Sequence, residues 1–208
     1  MGETTEPKQV GPLPPAEYFE KTRSTGASKT LVEALALVPS RAEALDLGSG
    51  SGRDSLFLLE QGFKHVVALD SESAAARVLE FVPEDKKSKI EFVQQRFDEF
   101  EFGQERFDVI NAQYSLAFNP RDTLVDVFER LKASLKSGGV FVGNLFGDHD
   151  EWNTPNDTRT YLSRKEVETL LEGLEVVSLT EIDDPHGTTA AGGQKHWHKF
   201  DVVAQKPR

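Results

Sequence analysis

The sequence predicts a doubly wound α/β fold, a mostly parallel sheet with helices on both faces. Three observations predict it. Short apolar strands alternate with helical patterns from about residue 42 onward. The run His65-Val66-Val67-Ala68-Leu69-Asp70 is apolar almost throughout, as expected of a strand covered on both faces. A glycine cluster, Gly48-Ser49-Gly50-Ser51-Gly52, sits between a strand and a helix.

Residues 1–15 are proline-rich and poor in apolar side chains, so a flexible tail is expected there and a single domain over 16–208. Helical patterns follow at 16–21 and 28–38. In the second, Leu31, Val32, Leu35 and Leu37 or Val38 recur at helix spacing, Ser28 is placed as N-cap, and Pro39 is the stop. Ala44-Leu45-Asp46-Leu47 reads as the first strand, 54–61 as a helix ended by Gly62, and 65–70 as the second strand. A helix is expected at 73–81, a solvated turn at 84–89, and strands at 90–93 and 107–112. The helix at 121–135 carries Leu124, Val125, Phe128, Leu131 and Leu135 on one side and is closed by Gly138-Gly139. A fifth strand follows at 140–145. Ser163 and Glu166 form a capping-box signature opening a helix at 163–171. Two last strands are placed at 176–182 and 197–204, with a polar, glycine-rich loop at 183–194 between them.

Composition removes whole classes of function. The chain has 208 residues, 24 basic against 35 acidic side chains, and a net charge of −11. Such a surface repels phosphate backbones, so nucleic acid is not expected as a partner. The absence of cysteine excludes disulfides, thiolate zinc sites, iron–sulfur clusters and a cysteine nucleophile. No apolar stretch is long enough to span a bilayer as a helix, and residues 1–15 lack the apolar core of a secretory signal. A cytoplasmic location is the expectation, without membrane association, as a monomer or a homodimer.

The chemistry centres on Asp46-Leu47-Gly48-Ser49-Gly50-Ser51-Gly52. Glycines there allow positive φ and close approach of a ligand. The helix that follows points free N–H groups into the same space. Asp70 ends the next strand, roughly 20 residues on, where a carboxylate can accept ribose hydroxyls. No Lys-Ser or Lys-Thr follows, so this is not a P-loop. The glycines alternate as D-x-G-x-G-x-G, which argues against the G-x-G-x-x-G loop of NAD enzymes.

With this loop the sequence resembles the class I S-adenosylmethionine-dependent methyltransferases, over roughly residues 16–206. It is most similar to their small single-domain members of the tellurite-resistance and thiopurine type. The resemblance implies a Rossmann-like sheet of seven strands with the last antiparallel, and S-adenosyl-L-methionine as cofactor. It places Asp46, Gly48, Ser49, Gly50 and Gly52 around the cofactor, and Asp70 with Ser71 at its ribose. Phe107-Asp108-Val109-Ile110 looks like the strand leading to the methyl group, which brings Gln113 to the cofactor and Tyr114 to the reacting end. Lys136-Ser137-Gly138-Gly139 looks like the turn before the fifth strand. Family members often carry an acid after the third strand, near the adenine. Here Arg96 and Phe97 fall in that region and Asp98 is displaced; Phe97 either stacks on the adenine or packs under the loop. Arg23 either pairs with the cofactor carboxylate or is a surface cation.

Methyl transfer from a sulfonium expels a neutral thioether and needs no acid; a base is needed only where the acceptor must lose a proton. The segments 114–118 and 146–152 are expected to shape the acceptor pocket, with His149 the first choice for a base and Tyr114 beside the methyl group. His196 and His198 share one face of a strand and can ligate a metal; no third ligand is evident in the sequence beyond His149 or Asp148 coming near, and no metal is assigned. The expected partner is a small-molecule methyl acceptor. The alternatives are a protein acceptor, or a cofactor-binding partner subunit without turnover.

Overall fold

The computed structural model describes residues 13–38 and 40–208. Most of the expected tail and the helix stop at Pro39 lie outside the described residues. The helices are α1 (Pro15–Arg23), α2 (Lys29–Ala34), α3 (Arg53–Glu60), α4 (Arg121–Ser134) and α5 (Arg164–Leu170). The strands are β1 (Glu43–Leu47), β2 (His65–Asp70), β3 (Ile90–Gln94), β4 (Phe107–Ala112), β5 (Leu135–Gly147), β6 (Tyr161–Leu162), β7 (Glu175–Thr188) and β8 (Gln194–Gln205).

The sheet runs β3-β2-β1-β4-β5-β8-β7, with β6 paired to β5 off this path. Pairings from β3 through β5 are parallel; β8 runs antiparallel to both β5 and β7. The seven expected strands and the antiparallel last one are therefore present, and β6 is an eighth, too short to leave a sequence pattern. The order reverses between β1 and β4, and the crevice at the carboxyl ends of these strands is where ligands bind in such sheets.

Alternation along the strands builds two cores. Leu45, Leu47, Val67, Leu69 and Ile110 pack with α4 and α5 on one face. Ala44, Val66, Ala68 and Val109 pack with α2 and α3 on the other. Each fully buried Leu or Val contributes about 1.5–3 kcal/mol, so both faces of the central strands must be apolar.

Several expected boundaries are corrected. Pro15 is not tail: it opens α1, where its missing N–H costs nothing. The helix at 28–38 stops at Ala34. Residues 73–81 form not an α-helix but a 3-10 segment, Ser73–Glu80, whose buried residues Ala75 and Val78 are three apart, the 3-10 repeat. The turn at 84–89 is a second 3-10 segment without buried residues. Val125, expected on the apolar side of the helix at 121–135, faces solvent instead. The fifth strand begins at Leu135 rather than 140. The expected loop at 183–194 is largely sheet: Asp183 pairs with His198, Asp184 with Trp197 and Thr188 with Gln194. Polar strand residues are tolerated there because β7 is an edge strand exposed along most of its length. The capping box at Ser163 and Glu166 is formed.

Candidate active site

The glycine loop is set by backbone geometry that side chains would not permit. Gly48 has φ 80° and Gly52 φ 75°. A Cβ on Gly48 would lie 2.3 Å from Ser115 Cβ, and one on Gly52 would lie 2.1 Å from Val78 Cγ2. The Gly48 and Ser49 amides donate to the Leu69 carbonyl at 2.8 and 3.0 Å, tying the loop to the end of β2. Asp70 finishes the clamp. Its Oδ2 accepts from the Gly50 amide at 2.8 Å and its Oδ1 from the Glu72 amide at 2.9 Å. Burial pushes the Asp70 carboxyl above its ordinary pKa, against these two amides.

Behind the loop lies a buried polar network. Asp46 accepts from Ser55 Oγ at 2.5 Å and Asn111 Nδ2 at 2.8 Å. Asn111 also reaches Asp54, which accepts from the Ser28 amide at 2.9 Å and from Arg53 Nε at 3.1 Å. Burial, and then the nearby Asp54 carboxylate, raise the Asp46 pKa to about 7. Gln113 extends the network, donating to Asn111 and Thr30 and accepting from Asn144 Nδ2 at 2.9 Å. Asn144 in turn accepts the Tyr114 amide at 2.5 Å, which holds Tyr114 at the unusual φ of 52°.

Of these groups Asp46, Gly48, Asp54, Asp70, Gln113 and Tyr114 line one cavity of about 700 Å³ at the carboxyl ends of β1, β2 and β4, within the ordinary range of ligand sites. α1 packs over the loop, with the Phe19 ring 3.1 Å from where a Gly50 Cβ would be. The other end is aromatic. Tyr114 and Trp197 meet edge to face at 5.7 Å, as do Phe146 and Trp197, and Trp152 lies 5.3 Å from Trp197. Behind the two tryptophans Lys195 Nζ makes a buried ion pair with Asp150 at 2.5 Å, and stands 3.4 Å from the Trp197 ring centre and 4.1 Å from that of Trp152. Burial lowers the Lys195 pKa, and Asp150 opposes that.

Of the residues singled out in the sequence, Asp46, Gly48, Ser49, Gly50, Asp70, Ser71, Arg96, Phe97, Gln113 and Tyr114 line this cavity. Phe97 stands 3.4 Å from the position of a Gly48 Cβ. Three residues do not reach it. Gly52 packs against Val78. Arg23 bonds Glu20 at 3.2 Å and lies over the Phe81 ring. His149 is exposed and bonds Asp183 at 3.0 Å. Sequence reasoning missed Arg53, at the start of α3, and Lys199, which strand alternation places on the same face as Trp197. It also missed 187–191 at the hairpin tip, which closes the aromatic end.

The Ser49 hydroxyl is buried in this cavity wall without a hydrogen-bond partner. A buried polar atom left unpaired is unfavourable and points to a ligand that completes it. Together with the space left by Gly48 and the carboxylate of Asp70, this fits the nucleoside and amino-acid groups of an S-adenosyl cofactor.

Comparison with known proteins agrees. A family model described as a methyltransferase domain matches residues 44–139, from β1 to the start of β5. TehB from Haemophilus influenzae superposes with a TM-score of 0.71 at 22% identity, covering 92% of this chain and 67% of its own. The 1,6-didemethyltoxoflavin-N1-methyltransferase of Burkholderia thailandensis, solved with 1,6-didemethyltoxoflavin and S-adenosylhomocysteine, gives 0.61 at 22% identity, covering 97% and 94%. The N-methyltransferase NodS of Bradyrhizobium japonicum, solved with S-adenosylhomocysteine, gives 0.65 at 15%, covering 93% and 99%. No curated protein matches the sequence.

Proposed function

We propose that this chain is a class I S-adenosylmethionine-dependent methyltransferase, a reading supported by the methyltransferase-domain match over residues 44–139, and that it binds its cofactor against the glycine loop and methylates a small molecule held at the aromatic end of the same cavity. The carrying observation is that the loop, Asp70 and the aromatic wall of Tyr114, Phe146 and Trp197 share one cavity. When bound, S-adenosylmethionine supplies a methyl group activated on a sulfonium. The chain's own work is then positional. Gly48 and Gly50 leave room at the loop, and Asp70 and Ser49 offer an acceptor and a hydroxyl to the nucleoside and amino-acid groups. Tyr114, fixed by Asn144, sits where the two ends of the cavity meet. The rings and α1 exclude water from the reacting atoms. An acceptor with a free lone pair needs no base. His149 lies outside the cavity and is not offered as one.

A cavity of this size that also holds the cofactor leaves room for a small acceptor, and the toxoflavin enzyme's bound acceptor is a small molecule. We take the domain to be single and cytoplasmic. Among the described residues no helix is long and apolar enough to cross a membrane.

The test is a melting curve with S-adenosylmethionine, S-adenosylhomocysteine and NAD in parallel. Ligand at about a hundred times Kd adds roughly 2.7 kcal/mol, a rise of about 5–10 °C for a chain of this length. The expected result is a rise with the first two and none with NAD, followed by S-adenosylhomocysteine production when thiols, heterocyclic amines or metalloids are supplied. No rise with either overturns the cofactor assignment. Binding with turnover on protein alone, or with none, moves the reading to a protein methyltransferase or to a non-catalytic partner subunit.

A further inference from the structure

We propose that Asp148, His149 and His198 form a site for a divalent transition metal, on the face of the β7–β8 hairpin opposite Trp197. One ligand atom from each of the three lies within 4.8 Å of the others. His198 Nδ1 is 3.5 Å from Asp148 Oδ1, and His149 Nε2 is 3.8 Å from the same oxygen. Ligand atoms around a tetrahedral ion with bonds of about 2.0–2.1 Å stand about 3.3–3.4 Å apart. Small movements of the two exposed side chains close the difference.

The outer contacts have the form that metal sites use. A ligating histidine characteristically gives its second ring nitrogen to a carboxylate, which fixes its orientation and tautomer. Both histidines do so here. His149 Nδ1 bonds Asp183 at 3.0 Å and His198 Nε2 bonds Glu181 at 3.1 Å. Asp183 is itself held by His196. That leaves His149 Nε2 and His198 Nδ1 facing Asp148. The His149 amide donates to His198 Nδ1 at 2.9 Å, so that nitrogen carries a lone pair and the proton sits on Nε2. This is the tautomer needed for ligation through Nδ1; metal binding exchanges the amide for the ion. The fold also makes room for His198, because Gly147 lacks a side chain where a Cβ would lie 2.2 Å from Nδ1. His198 is 1% exposed, so one ligand is fixed in the protein while the other two remain open to solvent.

Two imidazoles and a carboxylate suit Zn²⁺ or Co²⁺, with water completing the coordination. An ion here ties the end of β5 to β8 directly behind the aromatic wall. It is independent of the methyl-transfer reading, since none of the three residues lines the cavity.

The experiment uses the full chain without an affinity tag, prepared free of metal. Co²⁺ is titrated by visible absorption, Zn²⁺ by competition, and melting temperature is read with each. The expected result is saturable binding of one ion, with a melting rise and intense low-coordination Co²⁺ bands. His149→Ala and Asp148→Ala, both at exposed positions, should each weaken binding at least tenfold without changing the metal-free melting temperature. Glu181→Gln should weaken it by about 10-fold or more through His198, and His186→Ala, further along the hairpin, should leave it unchanged. Absence of saturable binding to the wild type at millimolar Co²⁺ and Zn²⁺ overturns the proposal. So does binding that persists unaltered in both His149→Ala and Asp148→Ala.

Discussion

Replacing Asp46 by Asn should make the metal- and cofactor-free protein more stable while weakening its ligand site. Asp46 is 2% exposed and accepts only two neutral donors, Ser55 and Asn111, while the Asp54 carboxylate stands close enough to repel it. Burial and that repulsion raise its pKa from 3.8 to about 7. A carboxyl with a raised folded-state pKa binds its proton more tightly folded than unfolded. Stability is therefore lost as pH rises from about 4 toward 7 and stays lost above. At 1.36 kcal/mol per pH unit, the full effect has a ceiling of about 4 kcal/mol. Asn has nearly the same shape, keeps one acceptor for Asn111, and can donate to Ser55 Oγ. It removes the ionisation cost and with it the pH dependence. At about 2–4 °C per kcal/mol for a chain of this size, Asp46→Asn should melt several degrees above the wild type at pH 8, with the gap closing toward pH 4. The assay is thermal or urea unfolding of both proteins at pH 4.5, 6, 7 and 8.5, with S-adenosylhomocysteine affinity measured alongside. A difference of the same size at every pH, or a variant less stable at pH 8, refutes the argument. The opposed changes in stability and affinity are those expected of a charge retained for a ligand.

Lys195→Met should leave Asp150 charged and buried without its cation, destabilising the protein by about 3–5 kcal/mol in urea unfolding; replacing both partners by apolar residues should recover much of the loss. Ser49→Ala removes a hydroxyl with no protein partner, so melting without ligand should be unchanged and S-adenosylhomocysteine affinity reduced several-fold, read by calorimetry. Asp70→Ala should weaken that affinity more than tenfold and also loosen Gly50, seen as faster amide exchange there. Gly48→Val should abolish binding, since the new side chain meets Ser115.

What could be read from the sequence follows from where constraints are local. β2 was legible because a strand covered on both faces must be apolar at every position, and Val66 to Leu69 are. The glycine loop was legible because positive φ at Gly48, Gly50 and Gly52 admits few other residues. The outer half of the hairpin was not. Asp183, Asp184 and Pro185 have poor strand propensity; Asp183 and Asp184 are held by pairing to β8, a long-range contact that leaves no periodic mark, and Pro185 sits in the register break that follows. The site divides in the same way. Asp46, Gly48, Ser49, Gly50 and Asp70 fall together on the cavity because one βαβ unit carries them. Arg53 lies in the same unit, but the direction of its side chain is set by bonds to Thr25, Ser28 and Asp54 that the local pattern does not show, and Lys199 comes from distant β8. Of the two readings of Arg23, the contacts with Glu20 and the Phe81 ring match the one that keeps it away from the cavity.

The position of β7 at the border of the sheet bears on how the molecule behaves in crowded solution. Its outer row of backbone groups faces outward along fourteen residues, which on a flat apolar strand would invite another chain to pair. The strand bears Glu175, Glu181, Asp183 and Asp184, lacks one donor at Pro185, and shifts register at two places, between Val176 and Ser178 and between Asp184 and Gly187. An incoming strand would bury like charges, miss a hydrogen bond and lose step twice. The same features that hid the strand from its sequence pattern thus guard it against templated aggregation, so a long hairpin can wall the cavity while its outer edge stays in water.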